Sequence, residues 1–550
     1  MKADSADVVI VGSGAGGAPV AYELARQGAH VVVLEKGREL APAEMVHDEI
    51  RMCRRNLFVP YVHDEPHTIR EEPEATAEKT AQGWTANVVG GATVHYSGYF
   101  FRMHPVDMRM RSTLGAIEGA TLADWPISYG ELERYYARVE QEIGVSGRAR
   151  AHPFEEPRST EYPMPPVAED PIAQRIDRAA ARLGYHAFPT PRAILSQPYR
   201  GRMACMYCSL CGSYGCEVGA KSSMAVSLLP AAVATGRCEI RPRSMAIEVP
   251  VDKAGRATGV TYRDATGEHR SIEARCVVLA CSAIETARLL LMSRSQRFPE
   301  GLANRNGLVG KNLVFSGMGR GHAIFRRPRP SPPVSRFPFV QRSIQDFYFN
   351  AQGVEGVRKG GTILFDWAHP NPILAAERVA HADGKLVFGR ALKDKLRRDV
   401  AGVWNLQFEV FSEFLPTAGT YVDLDPDVKD RFGLPVARMT VRRHPADAAA
   451  TGMLVDRGMA VLRDLAPDGW SAEELRGVTH FLQGGTCRFG DDPATSVLDA
   501  SCRAHEVANL YVTDGSFLPS SGGVPITLTI LANAFRVAEG IASRLQAREL

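Results

Sequence analysis

The pattern of apolar and polar positions is clearest at the start of the chain. An apolar run, Val8–Val11, is followed by a helical pattern over residues 18–27 and by a second apolar run over residues 31–34. Between the first run and the helical pattern lie three glycines, Gly12, Gly14 and Gly17. A buried strand that enters a glycine-rich turn, then a helix and a second strand, together predict a βαβ unit that binds a dinucleotide.

Each of these glycines has its own physical reason. Gly12 permits the tight turn, Gly14 lets the backbone approach a pyrophosphate, and Gly17 lets the helix pack closely on the strand. The diphosphate is expected at the helix N-terminus, where backbone N–H groups have no partner within the helix. Glu35 ends the second strand, 18 residues after Gly17, where a carboxylate accepts hydrogen bonds from ribose hydroxyls. The alternative is a glycine-rich turn without a ligand.

Weaker patterns organise the rest of the chain. Residues 41–85 are rich in charge and histidine without a clear period, which predicts a surface loop with short helices. Residues 236–275 alternate apolar and polar positions and predict an antiparallel hairpin. Residues 276–286 repeat the opening pattern of a buried strand and a small-residue turn. From about 312 to 480, aromatic strands and a long amphipathic helix, Pro445–Leu465, predict a second sheet with helices on one side.

Composition limits the class of protein. The chain has 550 residues, of which 45% are hydrophobic and 23% charged, which is typical of a globular protein with several domains. The formal net charge of +3 gives no argument for a nucleic acid or an anionic membrane as partner. No apolar run reaches the roughly 18 residues of a membrane span, and Met1–Asp7 lacks the apolar region of an export signal. We therefore expect a soluble cytoplasmic protein, with attachment through a partner left open.

Further segments carry a family resemblance. They are Gly90–Thr93 with His95, Gly485–Gly490, Asn509–Pro519 and Thr527–Ile530. Together with the N-terminal unit, they make the whole chain resemble the glucose–methanol–choline (GMC) family of flavoprotein oxidoreductases. The resemblance implies FAD, with Gly90, Gly91 and Thr93 along the flavin and Asp514 near the ribityl chain and pyrophosphate. It also implies that Thr527 and the N-terminus of the last helix lie at the pyrimidine end of the flavin, where a helix dipole stabilises negative charge.

The fold that this resemblance implies is α/β. A Rossmann-type FAD-binding domain is expected to carry a second, α+β substrate domain whose antiparallel sheet roofs the flavin. The FAD-binding domain is expected to comprise residues 1–311, with insertions at about 41–85 and 151–235, together with residues 481–550. Residues 312–480 are expected to form the substrate domain.

Four of the ten cysteines fall within twelve residues, at Cys205, Cys208, Cys211 and Cys216. Their segment ends in Cys-x-x-Gly-Ala and resembles the family branch that holds the flavin subunits of gluconate, fructose and glucose dehydrogenases. Four thiolates suit an iron–sulfur cluster. Such a cluster implies that electrons leave the enzyme toward a quinone or cytochrome, and the partner protein could be a small subunit. Zinc, a pair of disulfides and packed thiols are the alternatives.

His95 stands four residues after the glycine pair, where family members with a covalent flavin carry their histidine. A covalent bond to FAD, a hydrogen bond or stacking contact near the flavin, and a structural histidine are the three alternatives.

The resemblance implies an FAD-dependent oxidoreductase that transfers hydride from an alcohol, sugar or cyclic carbinol to flavin N5. The family's usual catalytic pair is a His before the Gly-Thr segment and a His or Asn before the last helix. Here Leu482 and Pro525 stand at those positions, and neither side chain accepts a proton. His480, on the same face of a strand as residue 482, is therefore the catalytic candidate. Two alternatives stay open: desaturation or other C–H oxidation of a cyclic ketone-like substrate, and a silent flavoprotein that relays electrons.

Overall fold

The computed structural model describes residues 4–54, 57–326, 339–349, 357–368, 371–381, 384–473 and 480–550. Their strands, in chain order, are β1 Ser5–Val11, β2 Val31–Leu34, β3 His67–Arg70, β4 Glu78–Thr80, β5 Phe188–Pro189, β6 Cys238–Arg241, β7 Met245–Glu248, β8 Gly259–Arg263, β9 His269–Leu279, β10 Lys311–Val314, β11 Gly317–Arg326, β12 Arg342–Ile344, β13 Gly361–Trp367, β14 Val403–Ser412, β15 Tyr421–Lys429, β16 Pro435–Thr440, β17 Gly469–Glu473, β18 Gly484–Thr486 and β19 Leu510–Val512.

The α-helices of the described segments are α1 Gly17–Arg26, α2 Met110–Leu114, α3 Tyr129–Ile143, α4 Ile172–Arg182, α5 Leu228–Val233, α6 Ala283–Met292, α7 Pro372–Ala380, α8 Gly389–Lys395, α9 Pro445–Asp464 and α10 Thr527–Gln546. Short 3₁₀ or π turns are Pro42–Glu44, Ile50–Arg54, Gly91–Val94, Pro105–Arg109, Met224–Val226, Leu396–Val400 and Gly515–Phe517. No helix of the segments named above combines the length and the apolar character that a bilayer span requires.

The first sheet has the strand order β6-β2-β1-β9-β8-β7, and β19 also pairs with β9. The strands β6, β2, β1, β9 and β19 are parallel, whereas β7 and β8 form the predicted antiparallel hairpin. Val8 pairs with Val31 on one side and with Cys276 on the other, and all three residues are fully buried. This parallel pairing confirms the predicted βαβ unit and the mixed α/β fold. The prediction was possible because strands buried on both faces need continuous apolar runs such as Val8–Val11.

Parallel strands end at one edge of this sheet. β1, β2, β9 and β19 therefore bring the turns that follow them, at residues 12, 35, 280 and 513, to the same place. Ligands of open α/β sheets bind at this carboxyl edge.

β10 and β18 form a second, two-stranded sheet. The third sheet is antiparallel and has the order β17-β11-β14-β13-β12-β5. Along β14, Leu406, Phe408 and Val410 alternate with Gln407, Glu409 and Phe411. The first set packs in a core shared with α9, so the second set faces the opposite side.

One sequence expectation about local structure was wrong. Residues 41–85 contain β3 and β4 as well as short turns, and these strands join β15 and β16 in a four-stranded sheet. β3 pairs with β16, which lies far along the chain, so the segment itself carries little signal for this pairing.

Candidate functional site

A cavity of about 610 Å³ runs along the carboxyl edge of the first sheet. Its lining includes residues 11–16, 34–36, 280–283 and 514–515, which follow β1, β2, β9 and β19. Its other end lies below the third sheet, at Met318, Glu409 and Phe411. Of the predicted cofactor-binding residues, Gly12, Gly14, Glu35, Gly91, Thr93, His95, Asp514 and Thr527 line this cavity, whereas Gly17 and Gly90 lie behind its wall.

The glycine-rich turn has the geometry of a phosphate-binding loop. Gly12 has a φ of +99°, and a Cβ there would lie 2.3 Å from the carbonyl oxygen of Ala280. A Cβ at Gly17 would lie 1.9 Å from the carbonyl oxygen of Gly12, so α1 packs directly on the turn. A Cβ at Gly14 would meet nothing nearer than 3.7 Å. The backbone therefore leaves space beside Gly14 at the N-terminus of α1, where a diphosphate fits.

Glu35 is tied to this turn. Its Oε2 accepts hydrogen bonds from the N–H of Ser13 at 3.1 Å and from the Ser13 hydroxyl at 2.6 Å, and its Oε1 accepts from the N–H of Gly37 at 2.8 Å. The Ser13 hydroxyl in turn accepts the N–H of Gly90 at 2.9 Å. Burial raises the pKa of Glu35, and these donors oppose that shift. Ser13 thus joins both glycine segments, a role that the sequence analysis missed.

The second glycine segment lies against the first. Gly90 and Gly91 have φ values of +93° and +58°, and a Cβ at Gly91 would lie 2.9 Å from the Cα of Gly14. The Thr93 hydroxyl donates to the Gly90 carbonyl at 2.6 Å and accepts the N–H of Met224 at 2.9 Å. The Thr93 hydroxyl therefore holds the segment where it crosses the cavity wall.

His95 occupies a buried position on the same wall. Its Nε2 lies 2.6 Å from the carbonyl oxygen of Thr85, so this nitrogen carries the proton, and its ring stacks on Phe58 at 4.7 Å. Burial lowers the pKa of His95 to about 4, which keeps the ring neutral at physiological pH.

Asp514 lies opposite the glycine turn. Its Oδ2 accepts the hydroxyl of Thr286 at 2.5 Å, and its Oδ1 accepts the N–H of Ser516 at 2.8 Å. Burial raises the pKa of Asp514. Nearby, Pro525, Ile526 and Thr527 line the cavity at the start of α10, so the N-terminus of this long helix faces the cavity.

The end of the cavity below the third sheet is mostly apolar. Leu482 and Pro525 both line it, together with Met318, Phe411 and Phe481. Tyr99 and Glu409 supply polar groups there. Sequence reasoning missed both, although Glu409 could have been noticed as a lone charge in the apolar run Phe408–Phe411.

The structure does not bring His480 to the cavity lining. Its ring packs against Phe315 at a centroid distance of 5.1 Å, and its Nε2 is buried without a hydrogen-bond partner in the described residues. Burial, with a smaller contribution from His67, lowers the pKa of His480 to about 4. The catalytic assignment of His480 stays a prediction.

The cysteine-rich segment adjoins the cavity. Ser213 lines it and donates its N–H to the carbonyl oxygen of His95 at 2.9 Å. The four clustered cysteines, Cys205, Cys208, Cys211 and Cys216, surround a separate small cavity of about 30 Å³ beside the buried Lys221. The Lys221 ammonium donates to the carbonyl oxygens of Cys211 at 2.7 Å and Tyr96 at 2.9 Å.

These cysteines do not form a metal site in the structure. Across the described segments, no three His, Cys, Asp or Glu side chains are placed to hold a metal ion. Burial raises the pKa of Cys205 to about 11 and that of Cys211 to about 12, so both side chains are thiols in the metal-free protein. The predicted iron–sulfur cluster on Cys205, Cys208, Cys211 and Cys216 is therefore not supported.

The class of protein follows from the sheet edge, the glycine turns and the cavity: it is an α/β protein with a site for a dinucleotide. The profile of the GMC oxidoreductase family matches residues 164–316 with its N-terminal part and 416–534 with its C-terminal part, and a Rossmann-like NAD(P)-binding profile matches residues 10–43. The chain belongs to the GMC oxidoreductase family. The cofactor is FAD, and the space beside Gly14 and Gly91 fits its pyrophosphate.

The similarity to other proteins covers almost the whole chain. The chain is 32% identical to 2-methyl-1,2-propanediol dehydrogenase of Mycolicibacterium austroafricanum, over 99% of its length and 96% of that protein's. It is 32% identical to paromamine 6'-oxidase of Streptomyces fradiae, over 98% and 92%. It is 27% identical to the gluconate 2-dehydrogenase flavoprotein of Pantoea cypripedii, over 97% and 93%. The solved structure of pyridoxine 4-oxidase from Mesorbium loti superposes with a TM-score of 0.60 at 19% identity over 98% and 99%, which shows the shared fold.

Proposed function

We propose that this enzyme oxidises the carbinol carbon of an alcohol or sugar-like substrate. The observation that carries the proposal is the continuous cavity, which joins a nucleotide end at Glu35 to an apolar end at Leu482 and Phe411. The names of two similar proteins, 2-methyl-1,2-propanediol dehydrogenase and paromamine 6'-oxidase, support an alcohol carbon as the site of oxidation. FAD, when bound, accepts the hydride at its N5 atom.

The residues of the apolar end would exclude water and orient the substrate. Met318, Phe411 and Leu482 offer hydrocarbon surfaces to the carbon skeleton, and exclusion of water strengthens the remaining polar contacts. The N-terminus of α10, which begins at Thr527, would stabilise negative charge at the pyrimidine end of FAD.

A second function is favoured by a specific observation. Leu482 and Pro525 line the cavity at the places where the family's proton-accepting pair is expected. A substrate with an acidic C–H bond, such as a cyclic ketone, needs no strong base for its oxidation. Desaturation or another C–H oxidation of such a substrate is therefore the second candidate, and a silent electron-relaying flavoprotein is the third.

Anaerobic reduction of the bound FAD, followed at about 450 nm, distinguishes these functions. Reduction by alcohols or sugars is expected, reduction by cyclic ketones or enones alone would support the second candidate, and reduction by none would support the relay. His480→Ala tests the base, because loss of a positioned base costs about 10²–10⁴-fold in rate. His186→Ala is the matched control, since the His186 side chain is 53% exposed and pairs with Asp346.

We also propose that His95 is the residue through which FAD is attached covalently. Its Nε2 is held by the Thr85 carbonyl, which leaves Nδ1 with the lone pair of a neutral ring. Acid precipitation of the protein should keep the yellow colour with the polypeptide, and His95→Ala should release it. Free FAD in the supernatant of the unmodified protein would refute attachment and would leave the cavity assignment intact.

A partner that accepts the electrons is the last part of the proposal. Two similar proteins are named as the flavoprotein of gluconate 2-dehydrogenase and the large subunit of fructose dehydrogenase. We expect a quinone or cytochrome acceptor to reoxidise the enzyme faster than oxygen does. Stopped-flow reoxidation with each acceptor measures this, and faster reoxidation by oxygen would contradict it.

A further inference from the structure

The face of the third sheet that looks into the cavity carries two ion pairs. Across neighbouring strands, Arg320 of β11 stands in register with Glu409 of β14, and Arg320 Nη2 lies 3.1 Å from Glu409 Oε1. The second pair joins the buried Arg192 to Asp366 of β13. Each carboxylate is thus balanced by a guanidinium. These four groups therefore give the roof of the cavity, which is this face of the third sheet, no net charge.

Glu409 still has unused hydrogen-bonding capacity. Its side chain is 8% exposed, and what it exposes faces the cavity. Apart from the ion pair with Arg320, its oxygens accept no hydrogen bond from a described residue. An ionised carboxylate has about four acceptor positions, so Glu409 can accept further hydrogen bonds from a group in the cavity. The site therefore fits a ligand that brings a hydrogen-bond donor.

Tyr99 completes the same roof. Its hydroxyl donates to Asp366 Oδ2 at 3.3 Å, and the guanidinium of Arg192 lies 4.7 Å from the centre of its ring. Because its proton is engaged with Asp366, the Tyr99 oxygen offers the cavity an acceptor. Glu409 and Tyr99 therefore both present acceptors, next to the hydrocarbon surfaces of Met318 and Phe411.

We propose that Glu409, with Tyr99, forms a subsite for a second hydroxyl group of the substrate, so that the enzyme selects uncharged diols or polyols over monohydric alcohols. The proposal rests on the function proposed above and names its substrate class. Hydroxyls donate well to a carboxylate that a guanidinium already neutralises, whereas a cationic substrate would have to compete with Arg320. A monohydric alcohol of the same carbon number would leave Glu409 without its donor.

The test compares 1,2-butanediol with 1-butanol in the FAD-containing enzyme. Binding is measured from the change that each causes in the visible absorption of FAD, and turnover from kcat/KM. The diol is expected to be preferred by about 10- to 150-fold, the value of one hydrogen bond to a charged group. In Glu409→Leu this preference should collapse toward equality, while in Glu409→Gln, which keeps an acceptor, part of it should remain.

Two controls protect the interpretation. Glu268→Gln changes a carboxylate whose side chain is 66% exposed, and it should leave the preference unchanged. If Glu409→Leu does not fold because Arg320 is left unpaired, the double variant Arg320→Met/Glu409→Leu removes both charges and serves instead.

Three outcomes would overturn the proposal: equal binding of diol and alcohol by the unmodified enzyme, a diol preference that survives Glu409→Leu, or a stronger preference for amino alcohols that Glu409→Leu abolishes. Failure of the proposed function looks different. In that case neither compound reduces the FAD, while the difference in binding can still be measured.

Discussion

Separate substitutions of Gly14 and Gly17 test how the turn binds FAD, because the two glycines meet different surroundings. A Cβ at Gly17 would lie 1.9 Å from the carbonyl oxygen of Gly12 and 3.2 Å from the Ile10 side chain. To reach an ordinary contact of about 3.4 Å or more, α1 must move away from β1, and such overpacking costs about 1–3 kcal/mol in stability. A Cβ at Gly14 has nothing closer than 3.7 Å, so Gly14→Ala leaves the protein chain unstrained.

In Gly14→Ala the added methyl group lies where the backbone approaches the pyrophosphate. Each hydrogen bond to a charged group that is lost removes about 1.5–3 kcal/mol of binding free energy, or roughly 10- to 150-fold in affinity for FAD. We therefore expect Gly14→Ala to have a normal melting temperature without FAD and little bound FAD. Gly17→Ala should melt at a lower temperature even without FAD.

The assays are FAD titration of the apoprotein and thermal melting followed by circular dichroism. Gly540→Ala is a control glycine substitution, because its Cβ would meet nothing within 4 Å in α10, far along the chain from the turn. FAD binding by Gly14→Ala within threefold of the unmodified protein would show that the pyrophosphate does not lie beside Gly14. A normal melting temperature for Gly17→Ala would refute the packing argument.

Three further predictions concern buried charges and thiols. Lys359→Met leaves the two buried carboxylates that its ammonium contacts without a cation, so denaturant unfolding should show a loss of about 3–5 kcal/mol in the free energy of unfolding. The exposed Arg182→Met is the control and should show no measurable change. Equal effects of the two substitutions would contradict this prediction. Burial raises the pKa of Asp447 to about 8, so the folded state holds a proton that the unfolded state releases near pH 4, and stability is lost as pH rises from about 4 to 8. Asp447→Asn should therefore melt above the unmodified protein at pH 9, with a difference that shrinks toward pH 4; a constant difference would refute the assignment. Elemental analysis of anaerobically purified protein should find no stoichiometric iron, and iron that is lost on Cys211→Ser would reverse this conclusion.

The opening unit could be predicted because its signals are local. The buried strand Val8–Val11, the turn at Gly12 and the helix that follows are adjacent in sequence, and a positive φ or a close strand–helix contact admits glycine and little else. The C-terminal segment with Asp514 and Thr527 was recognisable for a related reason, since its resemblance to the family is continuous. Residues of both segments line the cavity.

The substrate end could not be predicted in this way. Its polar groups, Glu409 and Tyr99, come from segments about 300 residues apart, and the pairing of Glu409 with Arg320 depends on β11 and β14 being neighbours in one sheet. The same reason explains the strands hidden in residues 41–85, because β3 finds its partner β16 some 370 residues away. For His480 a local pattern was misleading. A two-residue strand period would place it on the same face as Leu482, but the backbone turns at Leu482, which has a φ of +58°.

By itself, the sequence determined the nucleotide-binding unit, since this unit depends on residues that interact with near neighbours in the chain. The resemblance of the sequence to the GMC family gave the α/β class and the identity of the cofactor. The tertiary structure decided which side chains meet at the substrate end and whether the clustered cysteines converge. Those features depend on which distant strands pair and on which face each side chain leaves the sheet, and a shift of one residue in register would have turned Glu409 away from the cavity.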